Sequence, residues 1–305
     1  MLYLYTEQFF WWSRVKNFIK ILLGRRIRGP QAVEGSLIRG LRELNIPFKL
    51  NAPLVEPINV LCLPTGGVRA LRWAIQQKRK GLAKKILAGP VIVITPDEGN
   101  WLVASPEVDG IVVPSSWVKS FWESFRPELS TKIKIWFSGV KDIGSLVNPN
   151  GKVLIFQKNS SEEIYNKVIA ELCARGLIYE TIRYGFFNQS DYRQALSRCR
   201  FMIYLSQSES QSLALHEAWM ADVPTLVWNR GFMVYKQQRW EDEAISAPYL
   251  DDRFGLFFKD GNEFGSQCDK FLKQYKFFTP RQSSLEQFTD RESVKLYLKI
   301  IRELL

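Results

Sequence analysis

Residues 201–230 read FMIYLSQSESQSLALHEAWMADVPTLVWNR. The first five, FMIYL, form an apolar run of strand length, and PTLVW at 224–228 is a second. Between them a Ser-rich polar loop opens a segment of Ala, Leu and Met, which are strong helix formers. The pattern is one β-α-β unit with a polar strand-to-helix loop. That loop is where open α/β sheets bind phosphorylated ligands. Two carboxylates mark the unit, Glu209 in the loop and Glu217 inside the helix.

The same alternation runs in both directions from this unit. Upstream, residues 153–157 read as a strand, 162–175 as a helix, 178–184 as a strand and 191–197 as a helix. Downstream, 255–258 is a short strand, 262–275 a helix, and the tail 293–305 (SVKLYLKIIRELL) is strongly amphipathic. A first series precedes all of these. It starts with the Gly29-Pro30 turn and a helix that carries Val33, Leu37, Leu41 and Leu44 on one face. Strands follow at 48–50 and 58–63, then a helix at 68–87 with the basic run Lys78, Arg79, Lys80, Lys84 and Lys85. Strands at 90–95 and 110–114, a helix at 118–125 and a strand at 133–136 complete it. Residues 141–151 (KDIGSLVNPNG) have no periodicity and read as the linker. Alternating β and α implies largely parallel sheets covered by helices on both faces. The expected architecture is α/β with two facing Rossmann-like domains, residues 1–145 and 146–290. A terminal helix, 291–305, crosses back onto the first. The strand C-termini of both domains would line a shared cleft.

With 305 residues the chain is long for one domain, which favours two. Its 46% apolar and 24% charged residues are those of a folded protein and exclude extensive disorder. The net charge of +11 favours anionic partners such as phosphates, acidic lipid or nucleic acid. No nucleic-acid-binding motif accompanies the charge, so nucleic acid is not an expected partner. Cys62, Cys173, Cys199 and Cys268 are scattered without zinc spacing and read as reduced thiols of a cytoplasmic protein. The single histidine, His216, excludes His-rich metal sites and argues against a Ser-His-Asp triad. No apolar run spans a membrane. The opening MLYLYTEQFFWW lacks the leading basic region of a signal peptide. Residues 9–28 (FFWWSRVKNFIKILLGRRIR) interleave apolar and basic positions near helical spacing. Such a segment either packs on its own domain or lies on an acidic membrane surface, at the inner face.

Glu209 and Glu217 are eight residues apart, about 12 Å along a continuous helix. A glycosidase pair flanks one bond with carboxyls roughly 5–9.5 Å apart, so two separate contacts fit better. A nucleotide-diphosphate sugar has suitable parts. Backbone N–H groups at the helix start, near Gln211, Ser212 and Leu213, would take the diphosphate. Glu217 would accept from ribose hydroxyls and Glu209 from the sugar's hydroxyls. A cation must balance the phosphates, and Lys158, at the end of strand 153–157, is placed to supply it. The Gly29-Pro30 turn at a helix N-terminus is a further candidate for phosphate approach.

ESQSLALHE, with its continuation AWMADVPTLVW, resembles the E-x7-E signature of retaining glycosyltransferases of the GT-B fold, the family 4 group. RGPQAVEGSLIRGLREL resembles that group's Gly-rich loop and first helix, VDGIVVPSSWVKSFW one of its strand-to-helix segments, and IKIWFSGVKD its W-P-x-G-V-D turn. SAPYL and FTDRESVKLYLKII fit the same group, so the likeness runs from about residue 28 to the end. It implies transfer of a sugar from a nucleotide donor to a glycan, lipid-linked or other hydroxyl acceptor, with retention and without a metal or other cofactor. It also implies that Glu209 lies by the donor sugar, that Glu217 binds the ribose, and that Lys158 neutralises the diphosphate. The loop from Tyr184 and Gly185 to Ser190 would meet the base. Three departures stand out. Ser210 and Ser212 occupy the positions of two glycines. No arginine stands between Gly151 and Lys158, and the N-terminal half has no histidine. Asp97 is the candidate to face the cleft in that histidine's place. These departures also motivate an alternative, a catalytically inactive module that binds nucleotide, sugar or polysaccharide.

Overall fold

The computed structural model describes residues 1–9 and 29–305. Apart from Phe9, the basic segment 9–28 lies outside the described residues. The chain divides into two compact units, Met1–Gly139 with Asp290–Leu305, and Val140–Thr289.

The first unit is built on six strands: β1 (Leu2–Leu4), β2 (Phe48–Leu50), β3 (Ile58–Leu63), β4 (Ala83–Ala88), β5 (Gly110–Val113) and β6 (Ile133–Ile135). Their order is β2-β1-β3-β4-β5-β6 and every pairing is parallel. Its helices include α1 (Gly29–Glu43), α2 (Gly67–Arg79) and α3 (Ser116–Phe125). Residues 2–4, which carry no clear pattern of their own, gain strand structure by pairing with β2 and β3.

Two expectations are corrected here. The helix read at 68–87 ends at Arg79, because Gly81 turns the chain through left-handed backbone (φ 77°). Residues Ala83–Ala88 then form β4 between β3 and β5, with Ala83, Ile86, Leu87 and Ala88 buried. The strand read at 90–95 does not form. β4 already fills that place in the sheet, and 90–95 is irregular backbone with Ile94 exposed. The basic run is therefore split between two elements. Lys78 and Lys85 converge on the Asp109 carboxylate at 2.5 and 3.3 Å, so both charges are spent within the fold.

The C-terminal helix (Asp290–Leu304) packs on α1 inside this unit. Trp136, fully buried, donates its indole N–H to Ser293 O at 2.9 Å, and Ser293 Oγ donates to Phe137 O at 2.7 Å. Arg39 grips Asp290 with two bonds of 2.6 and 3.1 Å. Between these anchors Gly40 lets the two helices approach closely. A Cβ there would lie 2.3 Å from Asp290 O and 2.5 Å from Val294 Cγ2. Gly40→Ala is therefore expected to destabilise by about 1–3 kcal/mol, the usual range for an overpacked core. A urea midpoint equal to the parent's would show that the two helices separate at no cost.

The second unit carries β7 (Lys152–Gln157), β8 (Tyr179–Arg183), β9 (Cys199–Leu205), β10 (Thr225–Trp228) and β13 (Gly255–Phe258), all parallel in the order β13-β10-β9-β7-β8. A separate antiparallel hairpin, β11 (Phe232–Tyr235) and β12 (Gln238–Glu241), follows β10. The helices are α4 (Glu162–Ala174), α5 (Gln189–Arg198), α6 (Leu213–Met220), α7 (Gly261–Gln274) and α8 (Pro280–Gln287). α4 and α7 pack with one face of the sheet, where Val153, Ile155, Phe201, Ile203 and Phe271 share a core. β9 lies at the centre, and all its residues but Arg200 are buried. The irregular stretch 141–151 is held to this unit: Leu146 N and Val147 N donate to Ala221 O, and Asn148 N to Cys199 O. Among the described residues no helix is long and apolar enough to cross a membrane.

Candidate functional site

β7 and β9 are parallel neighbours with Gln157 opposite Leu205, so both strands end at the same edge. Lys158 is the first residue past β7, and its N–H donates to Leu205 O at 2.9 Å. Residues 206–212 leave β9 at that edge and lead into α6. The loop is fastened from outside, with Glu209 N donating to Ile245 O (2.8 Å) and Ser246 Oγ to Gln207 O (3.3 Å).

This frame brings Lys158 and Glu209 together. The ammonium donates to both carboxylate oxygens, at 2.8 and 2.9 Å. Glu209 is only 7% exposed, and a buried carboxylate needs such donors to remain charged. Another donor comes from below. Tyr204, from the interior of β9, donates its phenol O–H to Glu209 Oε1 at 2.7 Å. Ser212 Oγ in turn donates to Tyr204 OH at 3.0 Å. Burial and the nearby Glu209 charge hold the Tyr204 pKa well above its ordinary value, so the phenol keeps its proton. The Tyr204 ring is fixed by stacking on Phe156 with centroids 4.9 Å apart.

Ser212 sits just before α6 in left-handed backbone, φ 67° and ψ 77°. Of the two serines at glycine positions, Ser212 alone needs a glycine-like conformation, since Ser210 has no positive φ. Ser212 makes no side-chain capping bond to the helix, because its hydroxyl turns to Tyr204. Gln211 is buried beside it, Ser210 is exposed, and Leu213 opens α6.

Glu217 lies one turn into α6 and half-buried. Gln189 Nε2 donates to Glu217 Oε2 at 2.8 Å. Gln189 begins α5, whose start is set by a capping box: Asn188 Oδ1 accepts from Ser190 N and Asp191 N, and Asp191 accepts from Asn188 N. Tyr184 and Gly185 form a turn after β8, with Gly185 at φ 89°. Tyr184 is half-exposed, and Lys158 Nζ lies 4.8 Å from its ring centre. Phe186, two residues on, is 80% exposed.

One cluster in the second unit therefore holds Lys158, Tyr184, Glu209 and Ser212, and Glu217 stands with Gln189 further along α6. Gly29 and Asp97 belong to the first unit. Gly29 is the first residue of α1, and Asp97 precedes the one-turn segment Glu98–Trp101, well past the end of β4. Sequence reasoning missed Tyr204 and Gln189. Tyr204 reads as core in an apolar run. For Gln189, the N-Q-S-D capping pattern marks a helix start, but nothing in it points to Glu217.

His216 is wholly buried among the rings of Trp219, Tyr249 and Phe288, with centroids 5.1, 5.3 and 4.4 Å away. Burial pushes its pKa down to about 3, so the imidazole is neutral at working pH. Among the described residues no three His, Cys, Asp or Glu side chains gather as metal ligands.

No protein-family model matches the sequence, and no curated protein matches it. Solved structures do match in fold. WaaB, a lipopolysaccharide outer core galactosyltransferase, superposes with a TM-score of 0.58 at 13% identity, over 90% of this chain and 80% of that one. Sucrose-phosphate synthase from Thermosynechococcus elongatus gives 0.54 at 9%, over 92% and 80%. TarM of S. aureus, solved with fondaparinux, α-GlcNAc-glycerol and UDP, gives 0.56 at 10%. The match takes in 79% of this chain and spans only 55% of TarM's length. The fold these structures share with this chain is the GT-B fold of two Rossmann-like domains.

Proposed function

We propose that this chain is a retaining glycosyltransferase that moves a sugar from a nucleotide-diphosphate donor to a hydroxyl of a glycan, lipid-linked or other acceptor. One observation carries the reading. A cation, Lys158, and a buried carboxylate, Glu209, stand together at the C-terminal edge of β7 and β9, against a helix start that Ser212 leaves uncapped. The fold likeness to WaaB, a galactosyltransferase, and to TarM, solved with UDP, supports it. So does the catalytic domain of starch synthase IV from Arabidopsis thaliana, solved with ADP and acarbose (TM-score 0.53, 8% identity, 89% of this chain and 76% of that one).

In this reading the diphosphate rests on the Lys158 ammonium and the first N–H groups of α6. As the bond from sugar to phosphate breaks, charge grows on the leaving oxygen. The ammonium, by then turned to the phosphates, and the helix dipole meet it there. Glu209 accepts from hydroxyls of the sugar. Glu217, steadied by the Gln189 amide on Oε2, accepts from the ribose hydroxyls. Lys158 takes the place a metal ion would otherwise fill, so transfer is expected to persist in EDTA.

The test is a transfer assay across UDP- and ADP-sugars. Glu217→Ala is expected to raise the donor KM roughly ten- to a hundred-fold, the size of lost hydrogen bonds to a charged group, and to leave kcat less affected. Nucleotide binding without turnover of any donor would instead make the chain a binding module.

A further inference from the structure

The hydrogen-bonded chain Ser212–Tyr204–Glu209–Lys158 does more than hold the loop. We infer that Tyr204 and Ser212 are positioning residues that keep Glu209 in place when Lys158 turns from it to the donor's phosphates. The inference rests on the donor reading above.

Lys158 faces two competing anions. The ammonium lies within 3 Å of both oxygens of Glu209, yet its proposed task is to meet a diphosphate. An ammonium is a compact point charge on a flexible stem and can swing between two anions. Leaving Glu209 has a penalty, because a carboxylate buried to this degree is costly when it loses a charged partner. Tyr204 meets that need. Its O–H points at Oε1 from within the sheet (2.7 Å), its ring is fixed against Phe156, and its raised pKa keeps it a donor. A bond from the protein interior stays when the surface-side cation leaves.

Ser212 completes the device. Left-handed backbone disfavours every residue with a Cβ, and glycine would relieve it. The hydroxyl is the group that glycine would lack, and it donates to Tyr204 OH at 3.0 Å. That bond orients the phenol, whose single proton must then go to Glu209. The local strain at 212 is thus tied to the aim of a carboxylate two side chains away.

This reading makes a signature that a merely structural role lacks. Ser212→Gly removes the hydroxyl and relieves the backbone, so stability and function should move apart. The melting temperature is expected to hold or rise, while UDP binding, read by calorimetry, weakens about ten-fold, as for one lost bond to a charged network. Tyr204→Phe is expected to weaken UDP binding by a similar factor. The double variant should be no worse than Tyr204→Phe alone, since both changes cut one chain. ADP and inorganic pyrophosphate serve as parallel probes. If the parent binds none of the three, the donor reading itself fails. If the parent binds but Ser212→Gly binds equally well, the positioning role is overturned and the donor reading stands. Should Tyr204→Phe fail to fold, Ser212→Gly carries the test alone.

Discussion

Lys158→Ala is expected to lower sugar transfer by roughly two to three orders of magnitude, the usual effect of removing one preorganised group that stabilises transition-state charge. Glu209 is 7% exposed, and its carboxylate lies against the ammonium to which the proposed function assigns the diphosphate. Without the ammonium, that carboxylate would repel a bound diphosphate. The loss should therefore appear in both kcat and donor KM, since in the proposed function the cation meets bound donor and departing phosphate alike. A stability loss accompanies it. Lys158 is 22% exposed and Tyr204 still donates to Glu209, so the loss should be near the cost of one charged hydrogen bond, about 1.5–3 kcal/mol. Lys158→Arg keeps the charge but not the compact shape, and should recover part of the activity. A folded Lys158→Ala protein with unchanged kcat/KM would remove this residue from the chemistry.

The second large effect is on acid stability. The His216 pKa is near 3 in the folded protein because the ring is buried, against an ordinary value of about 6.5 in the unfolded chain. The folded value is the lower one. The unfolded chain therefore takes up a proton as pH falls through 6.5, and the folded protein does not until pH 3. Stability from this group is complete above pH 6.5 and falls below it, by about 1.4 kcal/mol per pH unit. At pH 4.5 the expected loss is about 3 kcal/mol. His216 is the only histidine in the chain, so no other side chain with an ordinary pKa titrates between pH 6.5 and 5.5. Urea unfolding of the parent and of His216→Leu across pH 7 to 4.5 measures the difference. The variant should show a flatter dependence, by one proton, whatever its stability at pH 7. An identical slope in both proteins would mean that the imidazole titrates normally in the folded state. Carboxylates held below their ordinary range, among them Asp142 by Arg281 and Asp260 by the Glu263 and Asn262 amides, add their own losses only at lower pH.

Acid sensitivity and the proposed donor site thus meet in α6, a helix of eight residues. One face buries His216 and Trp219 in an aromatic cluster that also contains Phe288. The other carries Glu217 toward Gln189. A rigid base under the helix keeps its N-terminus and its carboxylate in register with the loop before it. Measurements of donor binding should accordingly be made well above the pH at which His216 begins to cost stability.

Local pattern determined much of this protein. The apolar runs at 153–157, 201–205 and 224–228, the helix formers between them and the loop of residues 206–212 are all readable from the chain. Each depends on neighbours within a few residues. The parallel α/β class follows from their alternation. The resemblance carried by E-x7-E named the GT-B fold, which the solved structures share. Reading failed where a choice lay between neighbours distant in sequence. Residues 83–88 continue a helical pattern from 68; Gly81 interrupts it, and the gap between β3 and β5 makes them a strand. Residues 90–95 are more β-like by composition, but the sheet has no place left for them. Asp97 lost its expected position at a strand end for the same reason.

The site divides along the same line. Glu209, Glu217 and Lys158 stand out in sequence because one carboxylate precedes a helix that follows an apolar strand, the other lies within that helix, and the lysine ends a second apolar strand. Their pairing does not, since Lys158 and Glu209 are 51 residues apart and meet only because β7 and β9 are adjacent. Tyr204 is indistinguishable from core until its hydroxyl is seen to reach Glu209. Ser212 looks like a small substitute for glycine until its backbone proves left-handed and its hydroxyl occupied. Periodicity and residue type are local properties and survive in a string of letters. Which donor faces which acceptor is set by strand order and side-chain direction, and these exist only once the sheet has formed.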